Sequence, residues 1–181
     1  MNATLTDHHQ KLIFDQFSDK PIVVEVGSGI GRVTEFLAGV CAMVYAIDTW
    51  EHIVGPDERT QQLDETPFET FCINCWDSRL KIIPVHAKSL VGLEFLKSKG
   101  VKPHAIYLDG SHQYQGLLDD ITTANSLFPG VPIYGDDFMW QCGSDMPVYR
   151  AIAKAIADPG FTLYTYAGGL WKLSKQRVGA S

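Results

Sequence analysis

The most constraining stretch of the chain is Ile22-Val-Val-Glu-Val-Gly-Ser-Gly-Ile-Gly-Arg-Val-Thr34. β-Favouring residues run straight into three glycines at alternate positions, and an amphipathic helical pattern follows. A buried strand that ends in a glycine turn and opens a helix is how an α/β protein presents backbone N–H groups to a ligand. Gly27, Gly29 and Gly31 let the turn, which includes Ser28, bend tightly and approach a ligand without Cβ clashes. Two details narrow the ligand. Arg32 stands where a dinucleotide fingerprint has its third glycine. Glu25, two residues before the first glycine, would repel a pyrophosphate but suits a ligand with a cationic amino-acid end.

Further along, apolar runs alternate with helical patterns. A second strand over 42–48 ends in Asp48, which follows Gly27 by about 20 residues, where nucleotide-binding α/β folds place an acid on ribose hydroxyls. The segment 49–66 reads as a long loop at the carboxyl end of that strand, beginning Thr49-Trp50. Trp50 either stacks on a ligand base, roofs a pocket, or packs as an ordinary core residue. A helix over 67–77 carries Phe68, Phe71, Cys72 and Cys75 on one side. Cys72-x-x-Cys75 is one pair where zinc needs about four ligands, so buried thiols are expected. The third strand spans 80–86, and Ser89 is expected to cap the helix that follows it.

The second informative stretch is His104-Ala-Ile-Tyr-Leu-Asp-Gly-Ser-His-Gln-Tyr114. It predicts a strand over 105–108 ending in Asp109, with His112 at the start of a helix reaching Leu127. The next strand, 131–134, runs into Gly135-Asp136-Asp137-Phe138. Adjacent carboxylates repel and raise each other's pKa, so they persist where solvent or a cation neutralises them. Asp109, Asp136 and Asp137, at the ends of two strands expected to be neighbours, would suit a hard cation such as Mg²⁺, Mn²⁺ or Ca²⁺. A helix over 146–157 and a hairpin over 161–174 complete the pattern. An N-terminal helix over residues 1–20, with Leu12, Ile13 and Phe17 apolar, is expected to cover the sheet. His8 and His9 read as solvated.

The 181 residues, 45% hydrophobic and 20% charged, suit one globular domain over 1–181 with a sizeable core. A net charge of -6 without a basic run argues against nucleic acid as the main partner. Four cysteines make no dense disulfide framework, and no apolar run reaches membrane-spanning length. A cytoplasmic protein without a signal peptide or membrane span is expected.

The Glu-x-Gly-x-Gly-x-Gly turn resembles the first motif of class I S-adenosylmethionine-dependent methyltransferases. The order of Ile-Asp-Thr-Trp, Asn74, Ser89, Tyr-Leu-Asp-Gly-Ser-His-Gln-Tyr, Asp120 and Gly-Asp-Asp-Phe resembles one group within them more specifically. That group is the metal-dependent small-molecule or sugar O-methyltransferases, macrocin O-methyltransferase-like and cephalosporin hydroxylase-like. The resemblance implies a Rossmann-like α/β three-layer sandwich: a mostly parallel seven-stranded sheet, order 3-2-1-4-5-7-6, with an antiparallel C-terminal hairpin. It implies S-adenosyl-L-methionine as methyl donor and a divalent cation, Mg²⁺ foremost, on Asp109, Asp136 and Asp137. It implies His112 as the base and a small-molecule acceptor, with a homo-oligomer conceivable. Glu25, Gly27, Ser28, Gly29, Gly31, Asp48, Thr49, Trp50, Ser89 and Asp109 would hold the cofactor. A methyltransferase-like domain that binds the nucleoside without transferring methyl is the alternative, and a nicotinamide-dependent oxidoreductase is a weaker one.

Overall fold

A computed structural model describes residues 20–51, 66–157 and 160–175. The expected N-terminal helix, His8, His9 and most of the 49–66 loop lie outside these residues. The elements, in chain order, are β1 (Ile22–Val26), α1 (Arg32–Val40), β2 (Met43–Asp48), α2 (Pro67–Asn74), a 3₁₀ turn (Arg79–Lys81) and β3 (Ile82–His86). Then come α3 (Ser89–Ser98), β4 (Ala105–Leu108), α4 (Tyr114–Leu127), β5 (Ile133–Gly135), α5 (Pro147–Ile156), β6 (Phe161–Thr165) and β7 (Trp171–Lys175). The strands form one seven-stranded sheet in the order β3-β2-β1-β4-β5-β7-β6. β1 to β5 pair in parallel, and β7 joins β5 and β6 antiparallel.

Side chains alternate across each strand, so one apolar run feeds two cores. On one face Val24, Ile106 and Ile133 pack with Leu93 and Leu96 of α3, Ile121 of α4 and Ile152 of α5. On the other, Val23, Val44 and Tyr107 pack with Leu37 of α1 and Phe71 of α2. Each fully buried side chain of this size contributes about 1.5–3 kcal/mol. The two helix layers with the sheet between them give the expected three-layer sandwich.

Local chemistry sets the ends of the elements. Pro67 opens α2 behind a capping box in which Thr66 and Glu69 each satisfy the other's backbone N–H. Pro147 opens α5 in the same permissive position. β5 begins at Ile133, later than the alternation suggests, because Val131 is drawn into a turn by its bond to Phe128 O and Pro132 has no N–H to give. α2 stops at Asn74, short of the expected 77, and its side chain turns to the glycine loop. Edge strand β3 has a built-in guard. Ala87 N donates to Asp48 O, so by the two-residue repeat position 84 faces the open edge, and Pro84 leaves no donor there.

Strand order reverses between β1 and β4: the chain winds outward through β2 and β3 on one side and through β5 on the other. Ligands of open α/β sheets bind in the crevice at the carboxyl ends of such a pair. The glycine turn leaves β1 there, and Asp109 leaves β4 there.

Candidate active site at the carboxyl ends of β1, β4 and β5

The glycine loop is fastened from several sides. Gly27 has φ +87, and its N–H donates to Ile47 O at 2.8 Å. A Cβ at Gly27 would stand 2.3 Å from Gly110 Cα and 2.4 Å from Asp109 O, so the first glycine is what lets the β1 and β4 loops touch. Asp48 accepts from Gly29 N at 2.8 Å through one oxygen and from Trp50 N at 2.7 Å through the other. Each oxygen keeps a second lone pair for a ligand hydroxyl. Asn74 Nδ2 donates to Ile30 O at 2.7 Å. Thr49 is half-buried beside Asp48.

Trp50 takes the packing role among those open to it. Its ring lies 4.8 Å from Phe68, 4.9 Å from Phe71 and 5.8 Å from His86, centroid to centroid, and its Nε1 donates to Gly29 O at 2.8 Å. The indole therefore braces the glycine loop against α2. Cys75, the residue that caps α2, is buried, while Cys72 within the helix is half-buried. Ser89 is also placed differently from expectation. Lys88 occupies the N-cap and Ser89 is the first helical residue. The Ser89 hydroxyl lies near the Asp120 carboxylate, whose pKa is pushed up to about 6 by burial, with Ser89 opposing the rise.

Glu25 is 0% exposed. Thr34 Oγ1, one turn into α1, donates to Glu25 Oε2, and Oε1 makes no hydrogen bond. Burial pushes the pKa of Glu25 up to about 7; the hydrogen bond from Thr34 and the nearby Ser28 hydroxyl oppose the rise, and the Asp48 charge adds to it. A half-satisfied buried carboxylate beside a glycine loop fits a cationic ligand group. Thr34 went unnoticed in the sequence because it sits at a core position of an amphipathic helix.

Asp109, Asp136 and Asp137 converge, as the pairing of β4 with β5 requires. His112 joins them: the candidate ligand atoms of all four residues lie within 4.8 Å of one another. His112 Nε2 lies 2.6 Å from Asp137 Oδ2 and 3.9 Å from Asp109 Oδ1. The ring thus sits inside the acidic cluster, and α4 starts two residues later, at Tyr114. Asp137 adopts φ +56, a left-handed conformation that costs a non-glycine residue about 1–2 kcal/mol. Its neighbours hold it there: Phe138 N donates to Gly169 O, Trp140 N to Asp137 O, and Trp171 Nε1 to Asp136 O. Gly135 makes room beneath, since a Cβ there would meet Trp171 Cζ2 at 2.3 Å.

Like charges are crowded in this cluster. Burial first, and then the neighbouring carboxylates, push the pKa values of Asp109 and Asp136 upward. Packed this closely, each carboxylate disfavours the charge of the other. The hydrogen bond that His112 donates to Asp137, against the cost of burial, raises the pKa of His112. Three carboxylates and an imidazole with mutual repulsion of this kind fit a hard divalent cation by donor chemistry.

No family model and no curated protein matches the sequence. Solved structures do. The MycE methyltransferase of the mycinamycin biosynthetic pathway, in complex with Mg, SAH and mycinamycin VI, superposes with a TM-score of 0.63 at 14% identity. That match covers 98% of this chain and 51% of MycE, so the chain spans about half of that protein. An O-methyltransferase from Bacillus cereus in complex with SAH gives 0.63 at 17% identity, covering 92% of this chain and 78% of the other. An rRNA methylase from Streptococcus thermophilus gives 0.61 at 15% identity, covering 94% and 95%. Likeness at such identities speaks for architecture, and with the strand order and the loop geometry it establishes that this chain has the Rossmann-like methyltransferase fold.

Proposed function

We propose that the protein is an S-adenosylmethionine-dependent methyltransferase that methylates a hydroxyl of a small molecule with the help of a divalent cation. One observation carries the reading: the glycine loop and the acidic cluster abut, with Gly27 packed against Asp109 O and Gly110. A methyl donor held by the first would lie beside an acceptor held by the second. Of the solved structures compared, MycE and the Bacillus cereus enzyme carry SAH, and MycE also carries Mg.

In this reading Glu25 faces the ammonium of the methyl donor and Asp48 its ribose hydroxyls. The methyl passes in one in-line displacement: the acceptor oxygen bonds to the methyl carbon as the carbon–sulfur bond breaks. Asp109, Asp136 and Asp137 would hold the cation. Bound there, it would lower the pKa of the acceptor hydroxyl and neutralise the carboxylates. His112, held by Asp137, takes the hydroxyl proton. Positioning by the fastened loops supplies much of the rate. The likeness to an rRNA methylase makes RNA the competing acceptor class. A net charge of -6 and an acidic cluster at the site favour a small, uncharged or cationic acceptor instead.

The test is calorimetry with S-adenosylhomocysteine, followed by a screen of small polyols, sugars and phenols for S-adenosylhomocysteine release with Mg²⁺ present. Binding followed by release with one acceptor class supports the reading. No binding of S-adenosylmethionine or S-adenosylhomocysteine by the wild-type protein overturns it.

A further inference from the structure

Three buried polar side chains stand in one row on the sheet face that packs against α1 and α2. Glu25 of β1 is in register with Tyr107 of β4, and Tyr107 with Tyr134 of β5. Neighbouring strands lie about 4.8 Å apart, so adjacent members of the row can share one small ligand group. The three residues are 0%, 1% and 1% exposed. Glu25 Oε1, the Tyr107 hydroxyl and the Tyr134 hydroxyl each lack a hydrogen-bond partner. Phenylalanine would pack at 107 and 134 without that penalty, so two unsatisfied hydroxyls in a core row call for a polar occupant.

The row leads into the site. Asp109 and Asp136 lie two residues beyond Tyr107 and Tyr134, where strand alternation returns to the same face. The Tyr107 hydroxyl is buried, and a phenol, with an ordinary pKa of about 10, is a neutral donor near neutral pH. A plain anion is unsuited to a row next to so many carboxylates. A zwitterion suits it, because its own cation can meet Glu25 while its carboxylate accepts from a phenol.

We propose that Tyr107, with Tyr134 behind it, binds the amino-acid end of the methyl donor: Glu25 takes the ammonium and the Tyr107 hydroxyl donates to the α-carboxylate. This rests on the methyltransferase reading and adds two binding residues that the sequence did not single out. The tyrosines then select for the whole cofactor over its nucleoside part.

The test compares two ligands by calorimetry on the wild type, Tyr107→Phe and Tyr134→Phe. S-Adenosylhomocysteine has the amino-acid end, and methylthioadenosine lacks it. Tyr107→Phe should weaken S-adenosylhomocysteine binding about 10-fold or more, the scale of a hydrogen bond to a charged group. Its affinity for methylthioadenosine should not change. Tyr134→Phe should show a smaller loss with the same selectivity, and it serves alone if Tyr107→Phe does not fold. Equal weakening of both ligands would mean a packing role, and no change in either would mean that a buried water satisfies the hydroxyls; each result overturns the proposal. A wild type that binds neither ligand would overturn the methyltransferase reading itself, and a wild type that binds both leaves the variants to decide the tyrosines alone.

Discussion

At the level of single residues, two titrations separate the roles of the buried groups. Glu25 is held at about 7, above the ordinary carboxylate value, chiefly by burial. The unfolded chain therefore gives up this proton at lower pH than the folded chain does. Its contribution is fully present below about 4.5 and lost as pH rises through about 7. The difference amounts to roughly 3 kcal/mol. Glu25→Gln should flatten the fall in stability across that window in urea unfolding at several pH values, and it should weaken S-adenosylhomocysteine binding at pH 8. His112 behaves differently. Its pKa is raised by Asp137, so the neutral base becomes available above the ordinary imidazole value of about 6.5. A cation on the carboxylates would oppose that rise, so the His112 titration followed by NMR should move down when Mg²⁺ is added, and kcat should rise with pH through it. His112→Ala should lower kcat by about 10²–10⁴-fold with cofactor affinity unchanged. Equal losses in kcat, cofactor affinity and stability would identify a packing histidine.

Among the elements, the β1–α1 turn carries the tightest constraint. Gly27 combines a positive φ with a backbone wall on its Cβ side, whereas Gly29 has φ +49 and open space. Gly27→Ala should therefore cost more than 3 kcal/mol of unfolding free energy and abolish cofactor binding, because the obstacle is backbone that cannot swing aside. Gly29→Ala should cost about 1–2 kcal/mol, the left-handed penalty alone. Urea denaturation of both variants measures the contrast. Much of this turn was legible in advance, since β-favouring residues followed by alternate glycines leave few other structures. The fastening of the turn was not. Asn74 bonds Ile30 O across a sequence separation of 44, and Thr34 reaches Glu25 only because a helix folds back over its strand.

For the molecule as a whole, the acidic cluster links stability to metal. Without a cation, Asp109, Asp136 and Asp137 repel one another where β4 and β5 end. Mg²⁺ or Mn²⁺ should raise the Tm of the wild type by mass action, and excess chelator should abolish turnover. Asp136→Asn removes a charge, so in chelator its Tm should exceed that of the wild type, while added Mg²⁺ should shift it little. Cofactor binding by Asp136→Asn and Asp137→Asn should stay nearly intact while activity falls. Scanning calorimetry and turnover in the same buffers decide the matter, and full activity in excess chelator would remove the metal from the account. Among the described residues, no helix is long and apolar enough to cross a membrane.

The sequence by itself determined the order of strands and helices, the glycine turn with its acid, and the acids at strand ends. Each of these is a local pattern, set by side-chain periodicity or by the few residue types a turn accepts. It also contained the histidine, but not its place within the carboxylate cluster. That depends on β4 lying beside β5 and on the Asp137 backbone held left-handed by Phe138, Trp140 and Gly169. Trp50 as a brace, and the row of Glu25, Tyr107 and Tyr134, were likewise decided in three dimensions. Tyr107 and Tyr134 read as ordinary strand residues, and only the register of three separate strands reveals that their hydroxyls line up with no partner. Periodicity records which way a side chain points; which groups meet there is set by sheet order and packing.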